Sequence, residues 1–220
     1  MMGKMLRSLS RFFSLFTYLK IRFYICFNRL WFWLIGVRYG KRLMVYDKVY
    51  VQGDGIIEIG DDFHFLSGDC INPICRNLRG VFYTASPQAK ILIGDRVGIS
   101  SSCLWASESI TIGNEVNIGG DCLIIDNDAH PISFQQRRRS YRKEVGTDAY
   151  HQTIKSAPVV IGDDVWIGAR CQILKGVKIG ARSIIAAGSI VTKDIPEDVI
   201  AGGNPCRIIK YFSSEGDQSM

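Results

Sequence analysis

Large aliphatic residues recur every six positions along most of the chain. The longest run is Ile161, Ile167, Ile173, Ile179, Ile185 and Val191, and small residues follow the first five after four positions, at Val165, Cys171, Val177, Ser183 and Ser189. The spacing also occurs at Ile112, Ile118 and Ile124, at Ile93, Ile99 and Trp105, and weakly at Ile59, Phe65 and Ile71. Residues six apart lie on opposite sides of an α-helix, so a helical interpretation fails.

A period of six predicts short strands joined by tight turns and stacked coil upon coil. Hexapeptide repeats are the sequence signature of a parallel β-helix. The aliphatic residue is expected inside each face and the small residue where the wall turns, with Gly, Asn and Asp supplying the turn dihedrals. An ordinary antiparallel sandwich would not keep one spacing for so long. The chain is therefore predicted to be mainly β.

Two segments interrupt the period, residues 72–90 and residues 126–158. The second is long for a loop in a compact domain, and such loops are usually functional. It contains His130, followed by Pro131 and preceded by Asp126 and Asp128. Of the other two histidines, His64 is interpreted as structural and His151 as a residue of a solvated loop.

The N-terminal segment, residues 1–45, is basic and aromatic and is predicted to be helical. Residues 1–42 carry nine Lys or Arg and no Asp or Glu, which leaves the rest of the chain at 18 basic against 21 acidic residues. This distribution argues against nucleic-acid binding and indicates an acidic partner for the segment. Its uncharged runs are too short to span a bilayer. Two compatible roles remain open: peripheral membrane contact through residues 1–40, or capping of the β-helix.

The cysteine and histidine pattern contains no metal site. Seven cysteines are present, with no CxxC pair and no Cys/His ligand spacing, so they are expected to be reduced thiols, several of them in the core of a cytoplasmic protein.

The stretch "DDVWIGARCQILKGVKIGARSIIAAGSIVTKDIPEDVIAGGNPCRIIK" closely resembles the hexapeptide-repeat acyltransferases, in the branch that holds galactoside, maltose, nodulation-factor and polysaccharide O-acetyltransferases. The resemblance implies a left-handed parallel β-helix over residues 46–212, with the loop insertion 126–158, a short C-terminal helix and a polar tail at 213–220. It further implies a homotrimer that uses acetyl-CoA as co-substrate, without a metal, in clefts between neighbouring β-helices.

The catalytic histidine of that family lies in an "HP" dipeptide, which matches His130 here. Neutral imidazole is suited to take the proton of an attacking hydroxyl at neutral pH. The resemblance places the oxyanion donor at the backbone N–H of Ala169, and Asp126 or Asp128 would orient the imidazole. For the cofactor it implies pantetheine contacts at Trp166, Gly168, Ala169 and Ala187, and contacts near the phosphates at Thr192, Lys193 and Arg207.

The acceptor is less defined, because "GISSSCLWASE" stands where sugar acetyltransferases place asparagines. Ser100, Ser102, Trp105 and Asp128 are candidate acceptor contacts. The basic loop "FQQRRRSYRK", which contains Arg137, is either a solvated flexible loop or a lid that meets an anionic glycan, such as one made at the inner membrane surface. The predicted function is O-acetylation of a sugar hydroxyl in a surface polysaccharide or lipid-linked oligosaccharide. The alternatives are N-acetylation of an amino sugar and a non-catalytic β-helix scaffold.

Overall fold

The fold is a parallel β-helix with one long helix at its N-terminal end. The computed structural model describes residues 2–68, 78–139 and 152–212, with side chains from residue 15 onward and without that of Arg139. Helix α1 (Met2–Leu34) is followed by strands stacked in three sheets, and a one-and-a-half-turn helix, α2 (Phe134–Arg139), lies in the long loop.

The three sheets are the faces of a triangular prism. Face one consists of β1 (Arg38–Tyr39), β4 (Ile56–Ile59), β7 (Lys90–Ile93), β10 (Ser109–Ile112), β13 (Val159–Ile161) and β16 (Lys178–Ile179). Face two consists of β2 (Met44–Val45), β5 (His64–Leu66), β8 (Gly98–Ser100), β11 (Asn117–Ile118), β14 (Trp166–Ile167), β17 (Ile184–Ile185), β19 (Val199–Gly203) and β20 (Cys206–Tyr211). Face three consists of β3 (Val49–Gln52), β6 (Gly80–Thr84), β9 (Cys103–Ala106), β12 (Leu123–Ile125), β15 (Gln172–Ile173) and β18 (Ile190–Val191).

The interior holds the residues that the period of six selected. Every repeat position from 161 to 191 is buried, and so are the small residues that follow the first five of them. Bulkier rings fill the coils nearest α1, where Phe63, Phe65 and Phe82 pack at ring-centroid distances of 5.3–6.5 Å. The prediction of a mainly β, parallel β-helical fold is therefore confirmed.

Two details of the predicted register are wrong. Leu104 is buried and Trp105 points outward, because the interior positions Ile99 and Leu104 are five positions apart along the chain instead of six. The coil turns one residue early there, through Ser101 with a positive φ of 24°. The interruption at 72–90 also contains strand β6, whose Phe82 is buried, so the coil continues through the last part of that segment. Ile71 lies outside the described residues.

The turns between faces one and two, here called the regular edge, repeat one hydrogen-bond pattern in successive coils. In four successive steps, a backbone N–H of one turn donates to a side-chain oxygen of the next turn along the chain. The pairs are Lys41 N to Asp61, Asp61 N to Asp95, Asp95 N to Asn114 and Asn114 N to Asp163, at 2.6–2.9 Å. Buried or stacked turns need such partners because their N–H groups have no strand neighbour.

The regular edge also places charged residues in the left-handed region. Arg42, Asp62, Arg96, Glu115, Asp164, Arg182 and Asp198 all have φ between 55° and 59°. That conformation costs a non-glycine residue about 1 kcal/mol. Ion pairs between coils offset part of the cost, with Arg42 on Asp62, Arg96 on Glu115 and Arg182 on Asp198.

The turns between faces three and one, here called the open edge, lack this regularity. Residues 126–158 leave the coil there, between β12 and β13. The two arms of the loop stay together at its base, where Asn127 and Ser156 form an antiparallel bridge and Ala157 N donates to the Asp126 carbonyl at 2.8 Å. The prism is thus continuous below a loop that projects from one edge.

Helix α1 covers the first coil through one stripe of side chains. Phe32 is buried in the core, Asn28 donates to the carbonyls of Val45 and Asp47 at 3.1 and 2.9 Å, and Lys20 Nζ lies 3.0 Å from the Asp47 carboxylate. Asn28 and Phe32 are four residues apart, and Lys20 lies eight residues before Asn28, so the three lie on one side of the helix. Strand β1 already pairs with β4, so the first coil begins at Arg38, before the predicted boundary at residue 46.

The C-terminal helix expected from the resemblance is not found in the described residues. Cys206–Tyr211 is instead strand β20, which turns back antiparallel on β19. The exposed positions of this strand include Ile209 and Tyr211, which suit a pleated edge better than a helix end. The polar tail, residues 213–220, lies outside the described residues. No helix in the described part of the chain has the length and hydropathy that a membrane span requires.

Candidate active site

His130 lies on the open edge. The chain reaches it directly after β12, through a tight turn in which His130 N donates to the Asp128 carbonyl at 2.6 Å and Ala129 has φ 58°. Pro131 is buried, whereas the imidazole is exposed. The buried proline anchors the loop on the prism, and the histidine is presented at the surface.

Asp126 accepts hydrogen bonds from the backbone of the prism wall. The residue is fully buried, and its two carboxylate oxygens accept the N–H groups of Ser107 and Glu108, both at 2.7 Å. The side chain of Asn127 adds a bond of 3.2 Å to the first oxygen. Both oxygens are therefore used in closing the coil above, which does not support Asp126 as the group that orients His130.

Asp128 retains an oxygen for such a role. Its Oδ1 lies 2.8 Å from the ammonium of Lys175, which belongs to the same edge in the next coil. Its Oδ2 is buried and has no hydrogen-bond partner among the described residues. A buried carboxylate oxygen without a partner costs free energy, and functional sites are where such costs occur.

Arg137 does not reach out toward a ligand. Its guanidinium Nη1 donates to the Pro131 carbonyl at 2.8 Å and also to the Ile132 carbonyl, directly after His130. The neighbouring Arg138 lies 5.2 Å from the ring centre of Phe134 and is exposed. Arg142, Lys143 and His151 fall outside the described residues, so the rest of the basic loop stays a prediction.

Face two carries a groove beside Trp166. The register aligns His64, Gly98, Asn117 and Trp166 in one outward row across four coils. Gly98 contributes no side chain, and Asn117 Oδ1 lies 3.1 Å from the place a Cβ would occupy. A groove of ≈ 230 Å³ results, lined by His64, Leu66, Ser100, Asn117 and Trp166 among others. The Trp166 side chain is 56% exposed at its border.

The turns between faces two and three bring together the predicted pantetheine contacts. Ala169 follows β14 in such a turn, and its carbonyl accepts the N–H of Gly188 at 2.8 Å. A Cβ at Gly168 would lie 2.5 Å from the backbone nitrogen of Ala187, so only glycine allows the two turns to stack this closely. Gly168, Ala169 and Ala187 therefore form one column of backbone next to Trp166.

The remaining predicted cofactor residues lie elsewhere. Thr192 and Lys193 are exposed and follow β18 on the open edge, which is the edge of His130. Arg207 is exposed in β20 on face two, where its guanidinium donates to the Cys206 carbonyl at 2.8 Å. The described residues contain no group of three His, Cys, Asp or Glu side chains that could hold a metal ion.

Among the predicted acceptor residues, only Ser100 lines the groove. Ser102 is 2% exposed; the carbonyls of Ser100 and Gly119 share the single proton of its hydroxyl, which also accepts the N–H of Cys122 at 3.0 Å. Because that hydroxyl is used in turning the wall, the structure does not support Ser102 as an acceptor contact. Trp105 packs on Tyr83 on face three, away from the groove, and its Nε1 is buried without a hydrogen-bond partner among the described residues.

Most thiols of the described residues lie in the wall of the prism, whereas Cys26 is exposed on α1. Cys122, Cys171 and Cys206 are buried and free. Contact with Cys171 and burial raise the pKa of the Cys122 thiol, and burial raises the pKa of Cys103 to about 11. Cys122 Sγ lies 3.2 Å from the Gly168 carbonyl, so a neutral thiol acts as a small buried donor in the wall.

The residues predicted for chemistry lie on opposite sides of the prism. Face two is opposite the edge shared by faces three and one, so His130 on the open edge cannot approach the groove beside Trp166 in the same chain. Sequence reasoning did not identify His64 or Asn117 as groove residues, nor Tyr46 as the partner of His64. The only signal was Gly98 at an outward strand position, since a glycine inside a strand often marks a close approach.

Comparisons with known proteins agree with this architecture. Residues 158–193 match the family model "Bacterial transferase hexapeptide (six repeats)". A putative acetyltransferase of Saccharomyces cerevisiae is 37% identical over 134 residues, 58% of this chain and 59% of that protein. The galactoside O-acetyltransferase of Escherichia coli K12 is 39% identical over 116 residues, 50% of this chain and 51% of that protein. The matched part thus spans little more than half the length of these relatives.

A solved structure supports the fold over a larger part of the chain than the sequence relatives cover. AntD, an N-acyltransferase from Bacillus cereus crystallised with dTDP and 3-hydroxybutyryl-CoA, superposes with a TM-score of 0.63 at 20% identity and covers 84% of this chain and 88% of its own. At that identity the likeness concerns the fold alone. With its period of six and its three parallel faces, the chain folds as a left-handed parallel β-helix, and over residues 158–193 it is similar to the hexapeptide-repeat bacterial transferases.

Proposed function

We propose that the protein is an acetyl-CoA-dependent O-acetyltransferase that acts on a sugar hydroxyl and works as a homotrimer. The proposal rests mainly on one observation: in a single chain, His130 and the groove of face two lie on opposite sides of the prism. A neighbouring chain related by a threefold axis can set its open edge against face two, which unites the two halves. Thr192 and Lys193 lie on the same edge as His130. One chain would therefore supply these three residues to a shared site, and its neighbour would supply face two with Trp166.

In this arrangement His130 removes the proton of the acceptor hydroxyl as its oxygen attacks the thioester carbonyl. The carbonyl oxygen becomes negative in the tetrahedral intermediate, and the backbone N–H of Ala169 stabilises it from the neighbouring chain. The thiolate of CoA leaves and takes the proton from the imidazolium. Asp128, through its buried Oδ2, orients the imidazole as the hydrogen-bond acceptor of its second nitrogen.

The cofactor lies between the chains. Trp166 borders the pantetheine slot, the backbone at Gly168, Ala169 and Ala187 bonds the pantetheine amides, and Thr192, Lys193 and Arg207 lie near the phosphates. The relatives named as acetyltransferases support acetyl-CoA as the donor. Exposed Arg138 beside the site favours a glycan acceptor that carries negative charge.

Mixed trimers test the composite site. His130→Ala and Trp166→Ala are each expected to inactivate acetyl transfer while folding normally. Co-expressed at equal amounts, every mixed trimer holds one site with an intact His130 facing an intact Trp166, so activity should return to about one quarter of wild type. The assay measures acetyl-CoA consumption with p-nitrophenyl β-galactoside, p-nitrophenyl β-glucuronide and glucosamine as acceptors.

The results discriminate between the alternatives. Mixed trimers that stay inactive, although each variant binds CoA, would reject the shared site. Transfer to the amine of glucosamine in preference to the hydroxyl probes would identify an N-acetyltransferase. A wild-type protein that neither binds CoA nor consumes acetyl-CoA would identify a non-catalytic scaffold.

We also propose that α1 binds the cytoplasmic surface of an anionic membrane. The helix is 33 residues, or about 50 Å, long. Among its side chains from residue 15 onward, Asn28 and Phe32 are buried against the β-helix, whereas most of the aromatic ones are exposed. Phe23, Phe27 and Trp31 stack in an exposed row at centroid distances of 6.0 and 6.5 Å, and Trp33 is 68% exposed. Exposed apolar patches of this kind mark interaction surfaces, and the net positive charge of residues 1–42 matches anionic headgroups.

Vesicle sedimentation tests the membrane proposal. Phe23→Ser together with Trp33→Ser should weaken binding to phosphatidylglycerol vesicles at least about tenfold, because two large apolar side chains no longer enter the interface. Tyr50→Ser, at an exposed position on β3, is the control and should leave binding unchanged. Unchanged binding in the double variant, or a higher oligomer that the double variant dissolves, would contradict a lipid partner in favour of a protein partner.

A further inference from the structure

The groove on face two contains a second histidine whose orientation is fixed. His64 lines this groove together with Ser100, Asn117 and Trp166. Its Nδ1 lies 3.1 Å from the hydroxyl of Tyr46, and the two rings are 6.1 Å apart between centroids at 31°. His64 is thus part of a polar pair at the opposite end of the groove from Trp166.

The Tyr46 hydroxyl determines which nitrogen of His64 remains for a ligand. Burial raises the pKa of Tyr46, so the phenol stays neutral and keeps its proton. Its other neighbour, the Met44 sulfur at 3.9 Å, is a weak acceptor. A phenol that donates to Nδ1 of neutral His64 leaves the ring hydrogen on Nε2, where it can act as a donor.

The absence of a side chain at Gly98 makes room for a ligand between the two ends. In the outward row, His64 and Asn117 flank Gly98, and Ser100 lies two residues further along the same strand. An imidazole N–H, a carboxamide and a hydroxyl surround the space, with the indole of Trp166 at its border. Several neutral polar groups beside one aromatic ring match the hydroxyls and apolar face of a sugar ring.

We propose that this groove is the acceptor subsite and that His64, held by Tyr46, donates a hydrogen bond to an oxygen of the acceptor sugar. The inference rests on the proposed acetyltransferase function and adds to it the groups that select the acceptor. His64 binds and orients the acceptor, and His130 of the neighbouring chain takes the proton. The two histidines thus perform separate tasks in one composite site.

Steady-state kinetics of the full-length protein separate binding of the acceptor from binding of the cofactor. In His64→Ala the KM for p-nitrophenyl β-galactoside or β-glucuronide should rise roughly 5- to 100-fold, the effect of losing one hydrogen bond in a desolvated site. The KM for acetyl-CoA and the slow hydrolysis of acetyl-CoA without a sugar should change less than about twofold. Tyr46→Phe, which leaves His64 in place but releases its ring, should raise the sugar KM by a smaller factor.

Tyr50→Phe, an exposed phenol outside the groove, serves as the matched control for Tyr46→Phe. An unchanged sugar KM in His64→Ala, or a raised KM for acetyl-CoA, would overturn the inference. So would a wild-type protein that hydrolyses acetyl-CoA but responds to neither sugar. A wild-type protein that neither hydrolyses acetyl-CoA nor binds CoA would instead reject the proposed function. Failure of the acceptor-subsite inference can therefore be distinguished from failure of the proposed function.

Discussion

The two edges that flank face one are built in different ways. At the regular edge each turn bonds the next through a side-chain oxygen, and charged residues in the left-handed region pair between coils. At the open edge the six-residue repeat is interrupted by a loop that carries His130. Asp128 in that loop has a buried oxygen without a hydrogen-bond partner among the described residues. The comparison indicates that the stabilising contacts between turns and the residues proposed for catalysis occupy different corners of one repeat.

The largest expected effect comes from crowding the regular edge. In Gly94→Ala the new Cβ would lie 2.7 Å from the Gly113 backbone and from Asn114 Oδ1, so the coils must separate. We expect a loss of about 3 kcal/mol in the free energy of unfolding, the upper part of the usual range for overpacking. Urea denaturation measures it.

Gly176→Ala, on the open edge, is the matched substitution. Its Cβ would meet only the Ala157 Cβ at 3.4 Å, and the strain comes from φ of 77°, which costs about 1 kcal/mol. Equal losses in the two variants would contradict the view that the regular edge is the more tightly packed one.

The second effect concerns the two aspartates of the open edge. Asp128→Asn should lower kcat about 100-fold, since an amide orients the wrong tautomer of His130, while stability changes little. Asp126→Asn should mainly lower stability, by about 2 kcal/mol, because one of the buried N–H groups of Ser107 and Glu108 loses its acceptor. Thermal denaturation and the pH profile of kcat separate the two roles; the reverse assignment would show that Asp126 orients the base.

A third and smaller effect is expected at Arg137. In Arg137→Ala the carbonyls of Pro131 and Ile132 lose their donor, the loop after His130 loosens, and kcat should fall about tenfold with the acceptor KM nearly unchanged. Arg138→Ala is the control and should keep kcat. A rise in acceptor KM without a change in kcat would instead restore Arg137 as a direct acceptor contact.

The smallest effect is electrostatic. Hydrogen bonds from Arg42 and Arg182 hold the pKa values of Asp62 and Asp198 below the ordinary value of 3.8. Since the folded protein binds these protons less readily, the ion pairs stabilise it above pH 3.8, and that contribution is lost as the pH falls through the lowered values.

Asp198→Asn should therefore flatten the fall in melting temperature on acidification below about pH 4. Asp54→Asn, at an exposed position on the open edge, should not alter it. An equal change in both variants would exclude a specific contribution from the regular edge.

The fold was predictable because its interior repeats. Six-residue spacing selects buried positions without knowledge of the neighbours. It failed where a turn shortened, between Ile99 and Leu104, and it missed strand β6 in the segment 72–90. The groove was not predictable in the same way. Its residues, such as His64 and Asn117, are outward positions whose proximity depends on the register between coils far apart in sequence. The position of Ser102 in the wall was also not predictable, because the sequence does not show whether a hydroxyl closes a turn or faces a ligand.

The covering of the first coil by α1 has a consequence for how the protein can be handled. A β-helix cut open at one end shows a row of unpaired strand groups and, here, the rings around Phe32, which together invite end-to-end stacking into fibres. Trimming the N-terminal helix to gain solubility would therefore create an aggregation surface and also remove the surface proposed to bind lipid. Substitution of its outer aromatic residues alters that proposed surface and leaves the cap in place.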